Sequence, residues 1–402
     1  MNFNTWFTDL QTRTAQNRGA GLVAFKELLA RLSNPHQNYK IIHVAGTNGK
    51  GTVCTLLARV LTQAGYKTGL FISPHLISPT ERIQFNGMEI TPDDFINAVE
   101  KVLAQEQKPL NFFEVLTAAA LVYFAEKNAQ YVVLETGLGG RKDPTNACMP
   151  VVSVITSVGL DHTHLLGDTL EKIAFEKAGI IKPGAPVLCG FLPSEALRVV
   201  QETAREKNAL LEIVCAENSP GNAQEQNKQL VHRAGELLEI ADEILQRDLE
   251  KVSVPGRFEI FRCGEKTIIL DGAHNPPAME NLLTFWQTTP FAQKRAAVLC
   301  AFMQDKDYTK MISMLSAHFK TGIVTVVSSP RAVKFFSSSR RVGMRDIEKF
   351  SSQKTGEILP TGWTFVPDVS AALARAQEQA EVVLVTGSFY LVGEVRKELI
   401  KF

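Results

Sequence analysis

A chain of 402 residues, 45% hydrophobic and 21% charged, has room for two or three globular domains of ~100–200 residues each. Its formal net charge of +1 excludes a bulk electrostatic role on nucleic acid or a membrane surface, so an anionic ligand has to be met locally. The six cysteines form no CxxC pair, no basic start precedes an apolar segment, and no apolar run approaches ~18 residues; the expectation is a cytoplasmic protein with reduced thiols and no membrane contact.

Residues 1–38 read as two short amphipathic helices ending at Asn34-Pro35. A buried strand follows over Tyr39–Ala45, then the turn Gly46-Thr47-Asn48-Gly49-Lys50-Gly51-Thr52, then a helix from Val53 to Ala64 with Gly65 as its stop. Strand, glycine turn and helix start make a phosphate cradle, in which backbone N–H groups and the positive end of the helix dipole face an anion. Lys50 adds a mobile charge and Thr52 a hydroxyl suited to Mg²⁺. The spacing is not a standard Walker A: Val44 stands at the first glycine position, and Gly51 displaces the hydroxyl residue to 52. The flanking strand and helix decide for nucleotide phosphate binding over an ordinary turn.

A second strand, Tyr66–Ile72, leads into Ser73–Ile83, a polar loop with two prolines. It is a plain connection or a ligand loop at a strand's carboxyl end. Thr91-Pro92-Asp93-Asp94 starts a helix reaching about Ala104, and a second covers Phe113–Lys127. Strand Tyr131–Leu134 delivers Glu135 at its tip, before the glycine-rich segment 136–146. A carboxylate there suits a Mg²⁺ ligand or a water-positioning group. Strand 151–158 runs out at Asp161 and His162, for which a hydrogen-bonded loop role is the commoner alternative to ligation. Thr169 caps a helix from Leu170 to about Ile181, and Lys177 falls on its apolar face, i+4 from Ile173. An inward lysine either snorkels or needs a partner, a shifted pKa or a covalent modification.

Strand 185–190, helix 194–208 and strand Leu211–Cys215 continue the alternation, and 224–249 reads as one polar-faced helix. Val254-Pro255-Gly256-Arg257 is the best boundary. Beyond it come strands 258–263 and 266–271, helix 276–287, strand 296–302, helix 307–318, strand 322–328, helix 345–352, strand 363–366, helix 369–379 and strand 381–385. The fold class is therefore α/β: a P-loop-type, mostly parallel N-terminal domain over 1–254 and a smaller Rossmann-like domain over 255–402. Two strand exits of the second domain, Asp271-Gly272-Ala273-His274-Asn275-Pro276 and Val385-Thr386-Gly387-Ser388-Phe389-Tyr390, are capped turns or chemistry on an edge expected to face the nucleotide if the domains close.

These residues, in order, resemble the folylpolyglutamate synthase family, a branch of the Mur-type ATP-dependent amide ligases. The resemblance spans nearly the whole chain and lies in His43–Thr52, Ser73-Pro74-His75-Leu76 with Glu81-Arg82-Ile83, and Glu135 with Gly137–Arg141. It continues in Asp161-His162 with Leu166-Gly167, Glu176–Ile180, Pro255–Glu259, Asp271–Pro276 and Thr386–Ser388. It implies a ligase adding L-glutamate to a folate tail, with ATP and Mg²⁺ required, K⁺ as an optional further ion, and a monomer as the working form. Gly46, Thr47, Asn48, Gly49, Lys50, Gly51 and Thr52 would hold the ATP phosphates, with Gln224, Asn227, Arg257 and Asp271 as further nucleotide contacts. Thr52, Glu135 and His162 would hold the metal, and Lys177 matches the family's carbamylated lysine. His274 joins Lys50 and Lys177 as a catalytic group; Ser73, His75 and Arg82 belong to the folate loop, and Ser388 lies near the incoming glutamate. The chain departs from the family pattern at Lys142-Asp143-Pro144-Thr145-Asn146, Thr136 and Ala223.

The implied chemistry moves the γ-phosphoryl group of ATP to a carboxylate, and the glutamate amine then displaces phosphate from the acyl phosphate. Closure of the second domain would keep water out. Dihydrofolate synthase or a bifunctional enzyme acting on dihydropteroate is the near alternative. A cell-wall Mur ligase lacks support because no separate UDP-binding domain precedes the cradle. A nucleotide-binding module without turnover is the alternative of another class, against which Lys50, Glu135, His162 and Lys177 together argue.

Overall fold

The computed structural model describes residues 3–14, 17, 19–214, 223–251, 253–333 and 359–400. The chain divides into two compact units, Met1–Val252 and Ser253–Phe402. Among the described residues no helix is long and apolar enough to cross a membrane.

In the first unit, β1 (Lys40–Ala45), β2 (Thr68–Phe71), β3 (Ile83–Phe85), β4 (Met88–Glu89), β5 (Tyr131–Glu135), β6 (Val152–Ile155), β7 (Val187–Cys189) and β8 (Leu211–Ile213) form one sheet. Its order is β4-β3-β2-β5-β1-β6-β7-β8, with only β2–β3 and β3–β4 antiparallel. The helices are α1 (Phe3–Thr14), α2 (Gly21–Arg31), α3 (Lys50–Gln63), α4 (Pro92–Ala104), α5 (Phe112–Glu126), α6 (Thr163–Leu166), α7 (Leu170–Ala178), α8 (Ser194–Glu206), α9 (Ala223–Leu237) and α10 (Asp242–Lys251). Local chemistry starts several of them. Thr91 accepts from Asp94 N with Pro92 at the first helical position, and Asn111 forms a capping box with Glu114. α5 is buried from Glu114 to Phe124, apolar on all sides save that carboxylate and Thr117. The carboxylate is satisfied by Ala20 N, Gly21 N and Asn111 N. Phe25, Phe71, Phe95 and Phe124 are fully buried in one apolar cluster, each stabilising the fold by ~1.5–3 kcal/mol relative to exposure.

In the second unit, β9 (Glu259–Cys263), β10 (Lys266–Leu270), β11 (Ala296–Cys300), β12 (Thr321–Val324), β13 (Trp363–Phe365) and β14 (Val382–Thr386) form a sheet in the order β13-β12-β11-β14-β10-β9. All its pairs are parallel except β9–β10. Around it stand α11 (Pro276–Thr288), α12 (Tyr308–Ser316), α13 (Val369–Gln379) and α14 (Phe389–Leu399).

Several expectations need correction. α3 begins at Lys50, three residues before Val53, and α7 ends at Ala178 rather than near Ile181. The span 224–249 is two helices: Glu239 takes a left-handed φ of +57°, and Ile240 N–H closes back on Gly235 O. That break lets Leu245 pack on Gly235, where a Cβ would lie 2.3 Å from Leu245 Cδ2. The hairpin β3–β4, turned by Asn86 (φ +50°) and Gly87 (φ +76°), and the helix α14 were not anticipated. The helix expected at 345–352 and residue Cys215 lie outside the described residues.

Candidate active site

The first unit gathers its candidate groups at the carboxyl ends of β2, β5, β1 and β6, where parallel α/β sheets bind ligands. Register does this. Val44 is paired with Glu135 and Ala45 with Ile155, so the cradle after β1 is flanked by the tips of β5 and β6.

Gly46 passes so close to β6's exit that a Cβ would stand 1.9 Å from Thr156 Oγ1. Thr47 N–H donates to Ser157 O (2.8 Å), and Thr156 Oγ1 donates to Asn48 O (2.6 Å). The Thr47 hydroxyl exchanges bonds with Gly159, accepting from its N–H at 3.0 Å and lying 3.1 Å from its carbonyl. Gly49 enters α3 at φ +86°, and a Cβ on it would meet Asn227 Oδ1 at 2.5 Å, so α9 brings Asn227 against the cradle. The first helical bond of α3 runs from Val53 N to Gly49 O, which leaves the amides of 50–52 without an i−4 acceptor inside the helix. Lys50 Nζ folds back onto Gly46 O (3.0 Å) and Thr47 O (3.3 Å), and Thr52, two residues on, is half-buried.

Glu135 is 3% exposed, and its Oε2 accepts from Ser73 N at 2.9 Å, joining the tip of β5 to the loop after β2. Burial pushes the Cys54 thiol well up, Glu135 adds to the rise and Lys50 opposes it, so both charged groups surround the start of α3. In the Ser73–Ile83 loop, Glu81 accepts from Leu76 N, Ile77 N and Ser78 N at 2.7 Å each. Arg82 Nε donates to His75 Nδ1 at 2.8 Å, and burial with the Arg82 charge lowers the His75 pKa to about 3. Ser73, His75 and Arg82 therefore share one locally folded loop.

His162 follows β6 in a left-handed conformation (φ +50°), a strained choice for a residue with a Cβ. Its Nε2 lies 4.0 Å from Asp161 Oδ2. Lys177 on α7 is 3% exposed. Burial holds its pKa well below the usual lysine value, the Lys50 charge pushes the same way, and Asp161 opposes them. Lys50 and Asp161 thus both act on Lys177.

The loop 137–146 carries carboxylate chemistry that motif reading passed over. Asp143 is buried; it accepts from Leu138 N (2.9 Å), Thr145 N (3.0 Å) and Thr145 Oγ1 (2.5 Å). Thr145 Oγ1 in turn meets His43 Nε2 at 2.7 Å. Arg141 grips α7 through Glu176, with Nη2 at 2.7 Å and Nε at 3.1 Å from Oε1. The available signal was Asp143-Pro144, an N-cap followed by proline in a glycine-rich loop.

Within the second unit, Asp271 accepts from Phe258 N and Ala273 N, both at 2.9 Å. Burial raises its pKa, and Arg257 together with those N–H groups opposes the rise. His274 Nδ1 donates to Gly272 O at 2.9 Å. Ser388 is 1% exposed and caps α14 by accepting from Leu391 N at 3.2 Å. Gly387 N–H donates to Ala273 O at 2.9 Å, so the two strand exits are tied together. Asp271, His274, Arg257 and Ser388 belong to one constellation.

Among the described residues no three His, Cys, Asp or Glu side chains gather as a chelating cluster. The expected set of Thr52, Glu135 and His162 offers a hydroxyl, a buried carboxylate and an imidazole. That suits Mg²⁺, which takes few protein ligands and completes its shell with phosphate oxygens and water.

The family model described as Mur ligase middle domain matches residues 44–261, and that described as Mur ligase, glutamate ligase domain matches residues 256–389. A dihydrofolate synthase/folylpolyglutamate synthase of Bacillus subtilis is 34% identical, covering 94% of this chain and 95% of the relative. A solved E. coli FolC in complex with DHPP and ADP superposes with a TM-score of 0.86 at 28% identity, covering 100% and 98% of the two chains. A bifunctional folylpolyglutamate synthase/dihydrofolate synthase solved with Mn, AMPPNP and L-glutamate bound has a TM-score of 0.84 at 28% identity, again over 100% and 98%. With the Mur ligase middle-domain model matching over half of the chain and a relative 34% identical over nearly its whole length, this chain belongs to the folylpolyglutamate synthase branch of the Mur-type ligases.

Proposed function

We propose that the chain is an ATP-dependent ligase that joins L-glutamate to a folate carboxylate with release of ADP and phosphate. The observation that carries this reading is the glycine cradle at the head of α3, with Lys50 folded over Gly46 and Thr47, flanked in the sheet by the buried Glu135. Burial and the Lys50 charge both disfavour an ammonium at Lys177, so this site gains from bound anions, and a triphosphate with a carboxylate substrate supplies them.

The residues divide the work. The amides of 49–52 and Lys50 cradle phosphate oxygens, and Asn227, packed on Gly49, with Arg257 and Asp271, is assigned to the nucleotide. Thr52, Glu135 and His162 would hold Mg²⁺, which when bound neutralises phosphate charge and orients the oxygens. Lys177, carbamylated, would present an anion instead of an ammonium and so end its repulsion with Lys50. The Ser73–Glu135 bond couples the folate loop to the metal ligand, so substrate entry and metal position share one hydrogen bond. His75 stays neutral at physiological pH and offers ring surface and an acceptor for Arg82, not charge. His274, with Nδ1–H committed to Gly272 O, has Nε2 as the atom through which a proton on the glutamate amine can be exchanged. Ser388 acts as the cap that places the α14 N-terminus near the glutamate carboxylates.

A second reading is favoured by the names of the relatives: the chain also acts on dihydropteroate, as a bifunctional enzyme. Both are tested together by supplying ATP, Mg²⁺ and glutamate with dihydropteroate or with a reduced folate and weighing the products. Products one glutamyl residue heavier, with matching ADP, are expected. ADP release with neither acceptor would overturn the proposal, and product from the folate alone would restrict it to tail extension.

A further inference from the structure

The ring of Phe389 lies between two side chains assigned to the reaction. The Arg257 guanidinium carbon stands 4.5 Å from the ring centroid. On the His274 side the centroids are 5.1 Å apart, with the rings inclined at 51°. The backbone underneath is shaped for this ring. A Cβ at Gly272 would come within 2.5 Å of Phe389 Cε1, and it is the Gly272 carbonyl that accepts from His274 Nδ1. Phe389 opens α14 directly after the Ser388 cap, and Gly387 N–H is bonded to Ala273 O. The ring is therefore fixed from below by the 271–275 turn and from behind by the helix start. Arg257 precedes β9 and His274 follows β10; these strands pair antiparallel with Glu259 opposite Leu270, and Gly272 N–H donates to Gly256 O at 2.9 Å, so the backbone brings the two residues to one place and the ring contacts both side chains.

We propose that Phe389 is a positioning residue whose ring is the common platform on which Arg257 and His274 are oriented for the ligation. This rests on the roles given to Arg257 and His274 above. A guanidinium over an aromatic face gains from the ring quadrupole, an effect of about two- to fivefold in affinity at partly exposed sites. An aliphatic side chain of similar bulk fills the space but offers neither that face nor a plane for the imidazole.

The test compares Phe389→Leu, Phe389→Tyr, Arg257→Met, His274→Gln and the Phe389→Leu/Arg257→Met double variant in the full-length chain. ATP is varied at saturating glutamate and folate, and thermal midpoints are recorded. Phe389→Leu is expected to raise KM for ATP about fivefold and lower kcat about tenfold, with Phe389→Tyr within twofold of the parent. In the double variant the KM effect should not exceed that of Arg257→Met alone, because both remove one arrangement. Parent-like KM and kcat in Phe389→Leu, a loss fully accounted for by a smaller folded fraction, or full additivity in the double variant would overturn the proposal. If Arg257→Met and His274→Gln are themselves silent, the roles of those residues fall and this inference with them. If they are impaired while Phe389→Leu is not, only the platform falls.

Discussion

At the residue scale, charge and burial set which side chains can act. Lys50 and Glu135 both act on the buried Cys54 thiol, and neither belongs to the apolar clusters of the first unit, so each can be changed without emptying the core. Lys50→Met and Glu135→Gln are expected to abolish ligation with unchanged circular dichroism; normal turnover in either, measured as ADP release, would remove that residue from the mechanism. His43 makes a separate prediction. It is fully buried, its pKa is lowered to about 3 by burial and the nearby Lys182 charge, and it is held by Thr145. The folded state keeps it neutral while the unfolded chain takes up a proton as pH falls through ~6.5. Its contribution is complete above that value and is lost progressively down to about 3. At pH 5 the loss is ~2 kcal/mol from this residue alone. Denaturant titrations at pH 7 and 5 should show a smaller acid penalty in His43→Gln than in the parent; an equal penalty would place the acid sensitivity elsewhere.

At the element scale, the loop 137–146 braces the end of α7. Arg141 N–H donates to Glu176 O at 2.7 Å, and Asn146 Nδ2 donates to Arg141 O and Gly179 O, both at 3.0 Å. A Cβ on Gly140 would lie 2.9 Å from Glu176 O and 3.0 Å from Lys177 O, so the loop backbone rests directly on the turn that aims Lys177. Asn146→Asp turns a donor toward two carbonyls into an acceptor, leaving buried oxygens opposed. A loss of ~2–3 kcal/mol in unfolding free energy is expected, against ~1–2 for Asn146→Ala, with kcat falling further than stability explains. Equal stability of the two variants would show that the amide does not bridge those carbonyls.

The same elements show what was legible in the sequence and what was not. Helices with strong local starts, such as Pro92–Ala104 behind Thr91 and Val369–Gln379 behind Asp368, could be placed from cap chemistry alone. Buried strands such as Tyr131–Glu135 were visible as apolar runs. The break at Leu238–Ala241 was not, because it depends on Leu245 packing on Gly235 from across the turn. Helix Phe389–Leu399 hid behind the Thr386-Gly387-Ser388 motif, whose serine is its N-cap. In the site, the inward lysine at 177 could be inferred from helical period, yet the Asp143–Thr145–His43 chain joins residues 102 positions apart and has no local signature. Phe389 was read as part of a strand exit, and only its contacts with Arg257 and His274 distinguish it.

At the scale of the molecule, the near-zero net charge means that nucleotide affinity has to come from placed groups, and the chain folds as two compact units with separate sheets. We take the units as domains of distinct stability, the first built around the phosphate cradle. Each then unfolds with its own transition, and a ligand held by one raises that one by RT ln(1 + [L]/Kd). With ADP and Mg²⁺ at about a hundred times Kd the gain is ~2.7 kcal/mol, or ~5–10 °C for a unit of this size. Scanning calorimetry should therefore show one transition moving by that amount on addition of Mg²⁺–ADP, and the same transition standing still in Lys50→Met. A single transition that moves as a whole would mean that the two units unfold as one. A shift that survives Lys50→Met undiminished would put the phosphates somewhere other than residues 46–52, and with them the metal and the site of phosphoryl transfer.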